Sequence, residues 1–80
     1  MRGTPTPEQQ ALAHNVRRLR LARGWSQEEL AHKAGELRQG LISQIENGKA
    51  NPTMVTLEAI ASALSCRLRD LFKPPPRSAR

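Results

Sequence analysis

The sequence predicts an all-α protein of five short helices, and three observations carry that expectation. Apolar residues recur at intervals of three and four, the spacing of one helix face, and nowhere alternate as they would in a half-buried strand. Two helix-start signatures, Thr6-Pro7-Glu8-Gln9 and Ser26-Gln27-Glu28-Glu29, set a hydroxyl three residues before a Gln or Glu, so that side chain and backbone can cap each other reciprocally. Gly24, Gly35 and Gly48 follow apolar runs, where helices end. Eighty residues make one domain, and because a chain of this size buries only about 60% of its unfolded surface, helices joined by short loops are the economical core.

In chain order, residues 1–6 form an N-terminal arm and 7–73 the folded domain. Thr6 caps the first helix, Pro7 suits its first position, and Leu12, Val16 and Leu19 mark its inner face up to Gly24. The second helix opens at Ser26, buries Leu30, Ala31 and Ala34, and stops at Gly35. A third runs from about Arg38 to Asn47 with Ile42 and Ile45 inward. Asn51-Pro52-Thr53 starts a fourth, whose buried face is Met54, Leu57, Ile60, Ala61 and Leu64. A brief fifth helix holds Leu68, Leu71 and Phe72 and cannot pass Lys73, because a residue preceding proline is pushed out of helical geometry. The remainder, 74–80, reads as a disordered Pro/Arg tail.

Thirteen Lys and Arg against seven Asp and Glu, a net +6, favour a polyanionic partner such as nucleic acid. One cysteine, Cys66, excludes an internal disulfide, and with two scattered histidines there is no spaced metal-ligand set, no cofactor motif and no catalytic residue to name. His14 and His32 show neither a nucleophile nor a carboxylate partner, which argues against an enzyme. No signal peptide or membrane-spanning run is present, so the chain reads as soluble and cytoplasmic.

The stretch "LRQGLISQIENGK" is near neutral inside this basic chain. Residues 1–34 carry six positive and three negative charges, 35–50 two of each, and 51–80 five and two. Base edges are read by uncharged donor-acceptor side chains while phosphates take the charge, so a helix of Gln, Ser and Asn flanked by basic segments suits a DNA groove. Two short helices around a glycine turn give the outline of a helix-turn-helix, and "ARGWSQEELAHKAG", "ISQIENGKANPT" and "LEAIASAL" closely resemble the phage-repressor and Cro-type (XRE) helix-turn-helix family over residues 12–72.

That resemblance implies a lambda-repressor-like compact bundle of five helices, with the third helix in the major groove of double-stranded DNA and the second braced across the backbone. Gln39 and Gln44 fall where the family's glutamines touch bases, with Ser43 beside them. Gln27 matches the position that bonds a phosphate and supports the first base-reading residue. Asn47, Lys49 and Asn51 match the backbone-gripping loop, and Arg38 joins Lys49 as a phosphate candidate. Arg20 and Glu46 match a pair that ties helix one to helix three. Trp25 and Cys66 occupy apolar packing positions of the family.

Two departures stand out. Six residues, Glu36 through Leu41, separate the turn glycine from Ile42 where the family has five, so Glu36 lengthens the turn. Gly40 replaces a larger side chain, costing helix stability of about 1 kcal/mol. The functional expectation is a regulator, acting as a repressor, that binds an inverted-repeat operator as a homodimer through the C-terminal end, where Leu68, Leu71 or Phe72 is left partly uncovered. The alternative is an antitoxin-type module that neutralises a partner toxin through the basic first helix or the proline tail and autoregulates its operon.

Overall fold

The computed structural model describes residues 4–74. Within them lie α1 (Pro7–Ala22), α2 (Gln27–Lys33), α3 (Gln39–Glu46), α4 (Met54–Ala63) and a 3-10 turn, Leu68–Phe72, with no strand among the described residues. Residues 1–3 of the expected arm and 75–80 of the expected tail lie outside the described residues.

The count of α-helices is four, which corrects the five-helix expectation: the last segment winds as a 3-10 turn. It spans five residues between an extended Arg67 and an extended Lys73, the residue preceding Pro74. That length suits the tighter i→i+3 bond better than a run of i→i+4 bonds. Asp70 closes it, accepting from the Arg67 backbone N–H at 2.9 Å and pairing with Lys73 Nζ at 3.0 Å. These contacts, the backbone hydrogen bond first, hold the Asp70 carboxyl below the usual range.

Both capping boxes form: Thr6 Oγ1 and Ser26 Oγ accept from Gln9 N and Glu29 N, each at 3.0 Å, and both side chains answer in return. The expected ends of the third helix prove to be its caps, Arg38 and Asn47. After α3, Lys49 N donates to Gln44 O at 2.9 Å and Gly48 N to Ile45 O at 3.0 Å, the paired bonds that close a helix on a left-handed residue. Gly48 has φ +74°, and a Cβ there would lie 3.1 Å from Pro5 Cγ, so this glycine also lets the N-terminal segment lie against the loop.

The lengthened turn has a clear form. At the end of α2, Gly35 N bonds His32 O as the first closing bond, but the second comes one residue late, from Leu37 N to Ala31 O at 2.9 Å. Glu36 fills the gap at φ 64°, left-handed after a left-handed Gly35 at 102°. The inserted residue is thus absorbed in the turn, and Leu37 still packs on the core.

The core gathers Leu12, Val16, Leu30, Ile42, Ile45, Leu57, Ile60, Leu64 and Leu71 from every element. Burying each such side chain is worth about 1.5–3 kcal/mol. One apolar expectation is corrected. Met54, expected inside, is 59% exposed, because the buried stripe of α4 begins only at Leu57, one turn later. Of the three apolar residues at the C-terminal end, Leu68 and Phe72 are half-buried and Leu71 is fully buried. Asn15 was not anticipated: buried on the inner side of α1, it donates through Nδ2 to Leu71 O at 3.0 Å and Lys73 O at 2.8 Å, tying the chain's exit to the first helix.

Candidate nucleic-acid interface

The site is built outward from one buried ion pair. Arg20 Nε and Nη2 meet Glu46 Oε2 and Oε1 at 2.6 and 2.9 Å, a two-pronged contact that joins α1 to α3. The side chains are only 9% and 1% exposed. The third guanidinium nitrogen, Nη1, donates to the Trp25 carbonyl at 2.8 Å, so the planar fork is fixed at both ends. The hydrogen bond to Glu46 raises the Arg20 pKa against the opposing effect of burial, so its charge persists at any pH below the ordinary arginine range.

From Glu46 the chain of contacts runs toward the surface. Gln27, first residue of α2, donates from Nε2 to Glu46 Oε1 at 3.1 Å, and its Oε1 accepts from Gln39 Nε2 at 3.4 Å. The structure therefore brings Arg20, Glu46, Gln27 and Gln39 into one connected series. Gln27 is half-buried with both ends of its amide engaged, so it acts as a link between the ion pair and the first turn of α3.

On α3, Gln39, Gly40, Gln44 and Asn47 are exposed and Ser43 is half-buried, while Ile42 and Ile45 face the core. Gln39 and Ser43 stand one turn apart, as do Gly40 and Gln44, so these side chains share the outward side of the helix. Nothing lies within 4 Å of where a Gly40 Cβ would be. The result is a shallow hollow of about 440 Å³ lined by Arg38, Gly40, Leu41 and Gln44. Arg38 is exposed at the N-cap of α3 with no side-chain hydrogen bond to the helix. Lys49 and Asn51 are exposed in the following loop, and Asn51 Oδ1 accepts from Gln9 Nε2 at 3.4 Å while the same amide reaches Ala50 O at 3.1 Å. Gln9 thereby anchors the α3–α4 loop to α1. Its place in the capping box gave no sign of this second task.

Trp25 packs against the core half-buried, and its ring is flanked by Arg23 Cζ at 5.5 Å and Lys33 Nζ at 5.1 Å from the centroid. His32 does have a carboxylate partner, which corrects the expectation: Nδ1 lies 2.5 Å from Glu36 Oε2, a contact made possible by the inserted turn residue and exposed on both sides. Neither histidine belongs to the connected series. Among the described residues no group of three or more His, Cys, Asp or Glu is placed to hold a metal, and no helix is long and apolar enough to cross a membrane.

A helix pair joined by a turn, with an outward α3 locked by its neighbours, is the arrangement that a helix-turn-helix family model matches over residues 16–71. This chain belongs to the XRE-type helix-turn-helix family. It is 39% identical over 64 residues to a hypothetical transcription factor of Neisseria meningitidis serogroup B, a match covering 80% of this chain and 59% of that protein's length. It is 38% identical over 69 residues to the antitoxin HipB of Escherichia coli K12, covering 84% of this chain and 77% of HipB. Among solved structures, the restriction-modification controller protein C.AhdI from Aeromonas hydrophila superposes with a TM-score of 0.77 at 33% identity, over 84% of this chain and 100% of that one.

Proposed function

We propose that this helix-turn-helix protein is a sequence-specific transcriptional regulator, acting in the cytoplasm as a repressor, that binds double-stranded operator DNA with α3 in the major groove. The observation that carries the reading is the connected series from Arg20 through Glu46 and Gln27 to Gln39, which fixes the orientation of α3 and leaves an outward row of amides and a hydroxyl. Gln39, Ser43 and Gln44 read bases, glutamine being the geometric partner of adenine N6 and N7. Arg38, Asn47, Lys49 and Asn51 take phosphates, and the N-terminus of α3, which lacks a side-chain cap, offers N–H groups to another. Gln27 supports Gln39 through its Oε1, and the Nε2 hydrogen that Glu46 does not take is left to donate to a phosphate.

The test uses operator sites selected from random DNA. Gln44→Ala should weaken binding to the selected site by about 1–3 kcal/mol with little change on random duplex, because a lost base contact affects discrimination. Lys49→Ala should weaken both alike. Equal losses on both duplexes for Gln44→Ala would remove it from base reading. The similarity to HipB supports a second reading, an antitoxin-type module that neutralises a partner toxin and autoregulates its operon. Tight operator binding by the isolated chain favours the regulator; binding that depends on a co-purifying small partner favours the antitoxin.

A further inference from the structure

Gly40 is a glycine that the fold itself does not require. It lies in the first turn of α3, where a glycine weakens a helix relative to almost any other residue. Unlike Gly24, Gly35 and Gly48, it does not have a positive φ. Nor does any neighbour press on it, since nothing lies within 4 Å of where its Cβ would be. What its missing side chain provides is open space, the hollow lined by Arg38, Gly40, Leu41 and Gln44.

The walls of that hollow decide what fits it. Side chains on a helix lean toward its N-terminus, so Gln44, one turn after Gly40, extends over the space that the glycine leaves. Leu41 forms an apolar wall: it is half-buried, packed in part on the core and in part lining the hollow. No carboxylate lines the hollow, so nothing in its walls repels a polyanion. In the major groove a helix meets the nitrogen and oxygen atoms of base edges and one apolar group, the C5-methyl of thymine. A base nitrogen or oxygen set against Leu41 loses water and gains no partner, which is unfavourable. A methyl group set there loses nothing polar and gains an apolar contact. Gln44, as the geometric partner of adenine, brings an A·T-containing stretch of the duplex to this same hollow.

We propose that Gly40 and Leu41 form a receptor for a thymine methyl beside the adenine that Gln44 reads, Gly40 supplying the room and Leu41 the contact. The assignment rests on the proposed reading of DNA by α3. It adds to that reading two specificity-determining residues that have no hydrogen-bonding side chain. It also gives Gly40 a task, because a larger side chain there occupies the space that the methyl needs.

The test replaces each thymine of the selected operator site in turn by deoxyuridine, which lacks only that methyl, and compares affinities by competition at fixed salt. One thymine position should prove sensitive, with affinity falling about fourfold, the worth of one buried methyl. Random duplex should bind alike with either base. Gly40→Leu places a better helix former in exposed open space, so the fold is kept, and the thymine–deoxyuridine difference should disappear. Leu41→Ala should remove it too, with a thermal melt showing that the protein is folded at the assay temperature. No sensitive thymine, or a difference that persists in either variant, would overturn the proposal. Gln44→Ala on the same site separates the two readings: if it still lowers discrimination while no thymine is sensitive, the methyl receptor alone falls, and if neither change matters, base reading by α3 falls with it.

Discussion

Asn15 shows what a single polar side chain does when it is placed on the inner side of a helix. Its amide satisfies the carbonyls of Leu71 and Lys73, which end the 3-10 turn, at the point where the chain leaves the bundle. Asn15→Ala removes the donor and leaves the buried Leu71 carbonyl without it, so stability should fall by roughly 1–3 kcal/mol. Urea denaturation of the two proteins measures this, and coincident midpoints would mean that the carbonyls find other partners. The sequence held half of this information. A polar residue between Leu12 and Val16 breaks an otherwise apolar stripe, which is a sign that something polar awaits it. The acceptors lie 56 and 58 positions away, and no local pattern announces a contact at that separation. Gln9 is similar: its capping role follows from spacing, its hold on Ala50 and Asn51 does not.

Between elements, the decisive contact joins α1 to α3. Residue types and the family resemblance pointed to Arg20 and Glu46 as a pair; the geometry adds the Trp25 carbonyl on one side and Gln27 on the other. Removing either partner alone leaves a buried charge uncompensated, at a cost of about 3 kcal/mol, and the double replacement should cost less than the sum. A double-mutant cycle by chemical denaturation tests this, and additivity would mean that the two do not interact. The loss should be unequal in its consequences for DNA. Glu46→Ala also frees Gln27, and with it Gln39, so it should reduce operator discrimination beyond its effect on stability. The α2–α3 turn marks where sequence reading reached its limit at this scale. Counting residues identified Glu36 as an insertion, but only the backbone shows that the closing bond slips by one residue, to Leu37, while the core contact of that leucine is kept. An apolar spacing of three, as between Leu68 and Leu71, fits a 3-10 or an α winding over so short a span, so the sequence predicts a brief helix there without distinguishing the two.

At the scale of the whole molecule, on the proposed reading one domain of this size offers few base contacts, since Gln39, Ser43 and Gln44 would span only a few base pairs, and that is the reason to expect two copies on an inverted repeat. Full burial of Leu71 removes it from the candidate dimer surface and leaves half-buried Leu68 and Phe72, with the exposed Met54 and Val55 of α4 as further apolar surface. If two copies associate rigidly through such a patch, their α3 helices enter successive major grooves on one side of the duplex, with half-site centres about 34–36 Å apart. Inserting about five base pairs between half-sites turns one by half a helical turn, at about 10–10.5 base pairs per turn, and cooperative binding should then be lost. Restoring a full turn with about ten inserted pairs keeps the faces aligned but stretches the dimer, so affinity should stay low unless the interface is flexible. Gel-shift titration over the spacer series, with the mass of the complex measured in solution, decides the matter. Equal affinity at every spacing, or one chain per bound site, would set the dimer aside and leave a monomeric reader whose specificity rests on a single α3.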